Sequence, residues 1–425
     1  MKFLTAAGAA FGMLLAAASV AAAPSTPDLA KLWEMVQRQQ AEIADLERRL
    51  AAAEATSAST RRSVTVTEER LDAATDYMED VGTRVATSSR TATHVGGYGE
   101  LHYNDLDADD SARDLDQIDF HRFVMYLSHE FDDRIRFFSE WELEHSFLQD
   151  TDDGSSVGEV EIEQAFLEMD LDENHLARAG LFLIPVGIIN PTHEPPTFYG
   201  VERNDVENVI IPTTWWEGGA GVAGRYANGF SWELAAHSGL AIPTTGDDAF
   251  RVRSGRQKVA EASAADLAYT AQLRYAGIPG VELAATYQFQ HDASQDSGDG
   301  LDEAQLFSAH GVLTRGPFTL KALWAEWQLD GDAVEAADAD EQTGWYVEPS
   351  YRLAFGDHGL GFYGRVEDVR GGRTQDRFEQ WELGLNYWPH ERVVLKFDYR
   401  DREHDLDQES GRDFKGVDLG VGYQF

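Results

Sequence analysis

Two polar patterns in the sequence have the spacing of known ligand sites. Residues 219–224 (Gly-Ala-Gly-Val-Ala-Gly) match the glycine fingerprint of dinucleotide-binding folds, but the hairpin signal Asn228-Gly229 follows where that motif requires a helix. Four aspartates have the spacing of positions 1, 3, 5 and 12 of a calcium loop, which here lacks its turn glycine and its bidentate glutamate: Asp105, Asp107, Asp109 and Asp116. Neither pattern predicts a cofactor or a metal.

Two histidine patterns are equally unsuited to catalysis. His193-Glu194 is similar to the start of a zinc-protease helix, but Pro195 and Pro196 follow and forbid that helix. His237 and Ser238 are adjacent, so on a strand they point to opposite faces and cannot act together as base and nucleophile. We therefore expect no catalytic residues, no metal ligands and no cofactor.

The composition excludes a further class of function. The 425 residues include 75 acidic side chains and 35 lysines and arginines, which gives a formal charge of −40. A field of this sign repels phosphate backbones, so no nucleic-acid partner is expected. The sequence contains no cysteine, which excludes disulfides and thiolate sites. Glycine and aromatic residues are plentiful, as is typical of strands and tight turns.

Two patterns precede the main domain. Residues 1–22 have a basic start, an apolar run and a small-residue cleavage site, which indicates a secretory signal peptide, with a membrane anchor as the alternative. Residues 23–93 have apolar side chains at heptad spacing, for example Leu29, Val36 and Ile43. This spacing predicts an α-helical coiled-coil stalk that lies in the periplasm and associates with other copies. A single amphipathic helix packed on the following domain is the alternative.

Strand-like alternation replaces the helical period from residue 94 onward. Near the C-terminus, Leu419, Val421 and Tyr423 alternate with glycine and polar residues. With no helices to cover such faces, an exported chain is expected to turn them towards lipid, whereas a soluble sandwich would need a second sheet. Residues 94–425 are therefore predicted to form an all-β transmembrane barrel of about 16 antiparallel strands. The strands are expected near residues 95–104, 118–131, 134–148, 159–171, 176–185, 216–227, 230–239, 266–276, 281–290, 303–315, 318–329, 343–355, 359–369, 376–388, 392–402 and 414–425.

The polar faces of these strands are expected to line a water-filled lumen. Short connections such as Asp132-Asp133 alternate with long acidic ones such as residues 291–300, which is the arrangement of outer-membrane barrels. A barrel of about 16 strands leaves an aqueous channel, so its inward charges are candidate selectivity residues. The alternative for each is an ion pair across the wall. The candidates are Arg122, Arg136, Arg178, Arg225, Arg274, Arg352, Arg365, Lys396 and Arg400, with Glu140 and Glu142 among the acids.

Two long connections are singled out by their composition. Residues 185–217 contain five prolines and many apolar residues, so this loop is predicted to fold into the barrel and narrow it, or alternatively to pack outward on a neighbouring subunit. Its charged residues would then lie at the constriction: His193, Glu194, Arg203, Asp205 and Glu207. In residues 240–265, four cations could attract anions to the pore mouth, bind lipid phosphates or pair with nearby acids: Arg251, Arg253, Arg256 and Lys258.

Three stretches of the barrel region resemble the phosphate-selective porin O/P family of Gram-negative outer membranes. They are Gly96-Gly97-Tyr98-Gly99-Glu100, residues 178–187 before the long third loop, and the closing Gly420-Val421-Gly422-Tyr423-Gln424-Phe425. The resemblance implies a homotrimer of 16-stranded barrels in the outer membrane, with anions guided by arginines at the constriction and by lysines along the path. This sequence departs from that scheme, because no lysine lies between Lys31 and Lys258.

These observations predict a porin for passive diffusion of small hydrophilic or charged solutes into the periplasm, with anions as one candidate class. Outer-membrane lipid, further copies of the chain and the solutes are the expected partners. One alternative is a structural role, in which the barrel anchors a periplasmic coiled-coil tether. The other is a hydrolase on the barrel wall, for which alternation places no serine and histidine together on one face.

Overall fold

Alternating side chains form sixteen antiparallel strands within the part of the chain that the structure describes. The computed structural model describes residues 92–147, 158–296 and 300–425. The predicted sixteen-stranded barrel is confirmed. The strands are β1 (Ala92–Ala108), β2 (Leu115–Glu130), β3 (Ile135–Glu144), β4 (Val160–Asp170), β5 (His175–Leu183), β6 (Trp216–Arg225), β7 (Phe230–His237), β8 (Ala268–Ile278), β9 (Val281–Gln290), β10 (Ala304–Arg315), β11 (Phe318–Leu329), β12 (Glu341–Phe355), β13 (His358–Arg370), β14 (Arg377–His390), β15 (Val393–His404) and β16 (Phe414–Gln424).

The sheet closes on itself through its first and last strands. Every strand pairs with its neighbours in the chain, and β1 also pairs with β16, with Tyr98 opposite Gln424. At this seam the Phe425 N–H donates to the Gly97 carbonyl at 2.8 Å, and the Gly97 N–H donates to the Phe425 carbonyl at 3.0 Å. Because each strand has two partners, the wall has no unpaired edge.

The strand registers place the apolar face of each strand on the outside. On β14, Leu383 is 57% exposed while its neighbour Glu382 is 1% exposed, and on β16 the same contrast separates Leu419 from Asp418. An apolar exterior with polar side chains turned inward is the pattern of a barrel that is surrounded by lipid. No helix in the described ranges is both long and apolar enough to cross a membrane.

The connections divide the barrel into a short-turn end and a long-loop end. Turns of two to four residues follow β2, β4, β6, β8, β10, β12 and β14, whereas six or more residues follow the odd-numbered strands. The longest connections are residues 184–215 and 238–267. Short helical pieces lie in the long connections: α1 (Asp332–Ala336), a π-helical turn (Val206–Ile210) and 3₁₀ turns at Ser111–Arg113, Pro195–Thr197, Val252–Gly255, Thr374–Asp376 and Asp407–Arg412.

A hydrophobic core lies inside the barrel, which the alternation argument does not predict. Inward-facing positions of β10 to β13 include the buried side chains of Leu306, Leu323, Trp327 and Val369. They pack against buried apolar residues of the two longest connections. One side of the interior is therefore filled with side chains instead of water.

The N-terminal predictions fall on residues that the structure does not describe. The signal peptide (1–22) and almost all of the coiled-coil stalk (23–93) lie outside the described ranges. Strand β1 begins at Ala92, two residues before the predicted start of the barrel domain. The signal peptide and the stalk therefore remain predictions.

Leu419→Arg is expected to destabilise the barrel according to depth in the membrane. Leu419 faces outward at the middle of β16, so an arginine there would meet the bilayer midplane and cost about 2–4 kcal/mol. Val393→Arg, at the end of the neighbouring strand, is the matched control and is expected to cost about 0–1 kcal/mol. Urea unfolding from lipid vesicles measures both changes. Equal costs would contradict the assigned outward face.

Candidate functional site

The connection between β5 and β6, residues 184–215, lies inside the barrel and is called the lumen loop. Its hydrogen bonds reach inward-facing residues on widely separated strands of the wall. A segment that bonds across the interior in this way narrows the lumen. The bonds join the Pro185 carbonyl to Gln272 (2.8 Å) and Thr286 (3.0 Å), the Ile210 carbonyl to Trp327 (2.8 Å), the Phe198 carbonyl to Asn386 (3.0 Å), the Val201 N–H to Asp398 (2.7 Å) and Glu202 to His102 (2.9 Å).

Apolar side chains explain why the lumen loop folds inward. Ile184, Ile211 and Trp215 are fully buried and belong to the core cluster inside the barrel. Asn190 ties the two ends of the loop together, because its amide donates to the Ile184 carbonyl at 2.8 Å and accepts from the Trp215 N–H at 2.7 Å. The predicted constriction segment is thus held by its own apolar residues and by an asparagine that the sequence argument did not identify.

Glu207 is the main polar anchor of the lumen loop. Its buried carboxylate accepts the backbone N–H groups of Ile188 and Ile189, both at 2.7 Å, and the hydroxyl of Tyr346 on β12 at 2.8 Å. Gly187 has a φ of +74°, and a Cβ there would lie 2.3 Å from Glu207 Oε2. Glu207 therefore stabilises the loop and does not present its charge to a solute.

Other predicted charges of the loop contact the wall. His193 Nε2 lies 3.2 Å from Glu140 Oε1 and 3.6 Å from Glu163 Oε2. Burial alone would lower the pKa of His193, but these two carboxylates raise it to about 10. Asp205 pairs with Arg402 on β15, and Glu194 accepts the Tyr126 hydroxyl at 3.4 Å.

The connection between β7 and β8, residues 238–267, lies against the lumen loop and is called the covering loop. Its Arg253 donates to the carbonyls of Asn208 (3.3 Å) and Thr213, and its Arg256 donates to the Thr214 carbonyl. Arg203 of the lumen loop reaches the same segment, with Nη1 at 3.2 Å from Thr214 Oγ1. Arg203, Arg253 and Arg256 are called the arginine cluster.

The arginine cluster forms no ion pair with the residues that the structure describes. No carboxylate oxygen in the described ranges lies within 4.0 Å of any of its three guanidinium groups. Burial, and after it the charges of Arg256, Arg251 and Arg203, hold the pKa of Arg253 well below its ordinary value. Three like charges near one loop segment create a positive potential that an anion would relieve.

The remaining two predicted mouth cations are ion-paired. Arg251 lies 3.7 Å from Asp248 and 4.0 Å from Asp376. Lys258 pairs with Glu159 and Glu161, whose hydrogen bonds raise the pKa of Lys258 against the effect of burial. The four cations of this loop are thus divided: Arg253 and Arg256 belong to the arginine cluster, whereas Arg251 and Lys258 pair with acidic residues, which is one of the alternatives given for them.

Acidic residues on β3 and β4 interact with the arginine cluster. Glu142, Glu161 and Glu163 each place a carboxylate oxygen within 4.8 Å of the others. Burial lowers the pKa of Arg256, while Glu161 and Glu163 act against that shift. Of these three residues, only Glu142 was predicted from the sequence, although glutamate at alternate positions 159, 161 and 163 is a signal for an acidic inward face.

Most of the predicted lumen charges form ion pairs on the inner wall. Arg225, on β6, is exposed, and the ammonium of Lys396 lies 3.5 Å from the ring centroid of Phe198. Arg352 lies 4.0 Å from the ring centroid of Trp388. The ion pairs are Arg122 with Glu100 (2.8 Å) and Glu142 (3.2 Å), Arg136 with Asp170 (2.8 Å) and Glu168, Arg178 with Glu233 (2.8 Å), Arg274 with Glu282, Arg365 with Glu348 (3.1 Å), Glu367 (3.8 Å) and Glu382, and Arg400 with Asp418 (2.5 Å).

Comparison with protein families identifies the barrel region. Residues 95–425 match the sequence model of the family described as phosphate-selective porin O and P. An uncharacterized protein of Aquifex aeolicus (strain VF5) is 30% identical over 334 residues, which cover 72% of this chain and 74% of that protein.

Solved structures share the fold. The anion-selective porin from Comamonas acidovorans has a TM-score of 0.54 and 10% identity, covering 79% of this chain and all of its own. The outer membrane channel DcaP of Acinetobacter baumannii has a TM-score of 0.51 and 14% identity, covering 79% of this chain and 97% of its own. At such low identity these likenesses show the barrel architecture alone.

Glu207→Ala is expected to loosen the lumen loop. The change leaves the N–H groups of Ile188 and Ile189 without their acceptor, and each unsatisfied buried group costs about 1–3 kcal/mol. Amide exchange in residues 184–215, measured by mass spectrometry, should accelerate at least ~10-fold. Glu194→Ala removes a carboxylate from the same loop and should leave the exchange nearly unchanged. Equal protection in both variants would contradict the anchoring role.

The His193 ion pair is expected to make barrel stability depend on pH. Because folding raises the pKa of His193, its bound proton stabilises the folded state fully below a pH of about 6.5, and this contribution disappears as the pH rises to about 10. In urea unfolding, the stability advantage of wild type over His193→Gln should therefore shrink across this window. His390→Gln, at the exposed end of β14, is the control. An advantage that stays constant with pH would refute the ion pair.

Proposed function

Because this chain belongs to the phosphate-selective porin O and P family, we propose that its outer-membrane channel passes small hydrophilic solutes and favours anions over cations. The observation that carries this proposal is the arginine cluster. It lies where the lumen loop and the covering loop meet inside the barrel, and it has no carboxylate partner within ion-pair distance among the described residues. A permeating anion would supply the missing negative charge.

The acidic residues near the cluster limit how strong this preference is. Glu142, Glu161 and Glu163 lie on β3 and β4, and each also contacts a cation: Arg122, Lys258 and His193, respectively. Because Glu161 and Glu163 act on Arg256, they offset part of the positive potential of the cluster, and a moderate anion preference is the expected result. We do not extend the proposal to phosphate in particular, because the sequence has no lysine between Lys31 and Lys258.

The proposal includes a homotrimer and an orientation. Family membership favours three barrels, each with its own lumen, and the apolar outward side chains suit contacts with lipid and with neighbouring copies. In barrels of this kind the short turns face the periplasm. Strand β1 starts at the short-turn end, which supports placing the predicted stalk of residues 23–93 in the periplasm. The alternative main role of the protein is structural, with the barrel as the anchor of that stalk. Such a tether function is compatible with a channel through the barrel.

Planar-bilayer recording of the purified full-length protein under a salt gradient tests the channel. We expect conductance in three equal steps and a zero-current potential with the sign of anion preference. Two outcomes count against the proposal. Absence of conductance from folded, heat-modifiable protein would overturn the channel and favour the tether, whereas a cation-selective potential would overturn the role of the arginine cluster.

Arg256→Gln is expected to reduce the anion preference. A unit charge within several ångströms of an ion in water contributes up to about 1 kcal/mol, so the anion-to-cation permeability ratio should fall roughly two- to fivefold. Arg113→Gln removes the same charge from the exposed first long loop and is the matched control. A ratio that falls equally in both variants would show that overall charge, not the arginine cluster, determines selectivity.

A further inference from the structure

Three side chains near the long-loop end form a compact group with two histidines and one carboxylate. His121 Nδ1 lies 3.0 Å from Asp119 Oδ2, and His145 Nδ1 lies 3.0 Å from both oxygens of the same carboxylate. Asp119 and His121 belong to β2, and His145 follows β3 directly. The side chains of Asp119, His121 and His145 are 18%, 27% and 43% exposed, so solutes reach them from the lumen or its mouth.

A second group adjoins the first through His121. The ring of His102 stacks on that of His121, with centroids 4.5 Å apart and planes 13° from parallel. His102 Nδ1 lies 2.9 Å from Glu202 Oε1, in the lumen loop, and His102 Nε2 lies 3.3 Å from Glu100 Oε2 on the same strand. In both groups, Asp119-His121-His145 and His102-His121-Glu202, the potential ligand atoms lie within 4.8 Å of one another.

The chemistry and spacing of these atoms suit a late first-row divalent ion. Imidazole nitrogen and carboxylate oxygen bind Zn²⁺ at about 2.0–2.2 Å, so ligand atoms around a tetrahedral ion lie about 3.3 Å apart. The two 3.0 Å separations at Asp119 are close to this value. Two imidazoles and one carboxylate leave coordination positions open to water, as in other sites with three protein ligands.

We propose that Asp119, His121 and His145 bind a divalent transition-metal ion of the Zn²⁺, Ni²⁺ and Cu²⁺ class, with His102 and Glu202 as the adjoining second group. Sequence spacing does not suggest this site, because strand pairing and a turn bring the three ligands together. A bound ion adds two positive charges beside the carboxylates of Glu100 and Glu202. The site goes beyond the proposed channel function and does not depend on it.

Calorimetric titration of ZnCl₂ into the untagged full-length protein in detergent tests the site. We expect saturable binding of one ion per chain. His145→Ala and His121→Ala should each weaken binding at least ~10-fold, since removing a group from a metal site costs that much even when it only supports a ligand. His175→Ala is the matched control: His175 lies 2.9 Å from Asp172 in a turn at the short-turn end, and its loss should not change the affinity.

Binding of Cu²⁺ gives a second readout that does not require the channel to conduct. Electron paramagnetic resonance should show coupling to two imidazole nitrogens in the wild type and to fewer in His145→Ala, while heat-modifiability confirms that the variant is folded. His145 lies in a loop, so its replacement should not disturb the wall. Absence of saturable binding at millimolar zinc, or equal affinity in wild type, His121→Ala and His145→Ala, would overturn the proposal.

Discussion

The structure depends on one constraint: a wall surrounded by lipid must satisfy its backbone hydrogen bonds within itself. The seam between β1 and β16 meets this requirement, because it removes the last unpaired edge. Closure then determines the sides of every strand, with apolar residues outward and the remaining alternate residues inward. The charges of the lumen, including the ion-paired arginines of the inner wall, follow from this division, since the interior is where such side chains can be solvated or paired.

A barrel of this width has more interior than its wall residues can fill, and two long connections occupy the difference. The lumen loop and the covering loop bring apolar side chains inside, where they pack on β10 to β13 as a second core. The same loops bring charges: Arg203 donates to the Thr214 hydroxyl, while Arg253 and Arg256 donate to the carbonyls of Thr213 and Thr214.

Much of the fold could be predicted from the sequence, because alternation with period two is a local signal. Strands β9 and β11 have the predicted ends, and the segment predicted as the constriction lies inside the barrel. The partners of the charges could not be predicted, since they depend on strand register and bulges, such as the one at Glu163 on β4, opposite Glu140 and Trp141 of β3. The buried core on the inward faces of β10 to β13 could not be predicted for a similar reason. Alternation shows which face of a strand is inside, but not which other residues of the chain pack against that face.

The seam also has a consequence for biogenesis. Because β16 is synthesised last of the sixteen strands and completes the wall only by bonding to β1, no shorter nascent chain can form the closed sheet. The earlier strands must be kept from aggregating until Phe425 has formed its backbone hydrogen bonds with Gly97. Since the lumen loop forms a hydrogen bond with Asp398 on β15, the loop cannot reach its final position before the last hairpin has formed. Assembly of the wall and assembly of the constriction are therefore late, coupled events in the maturation of this protein.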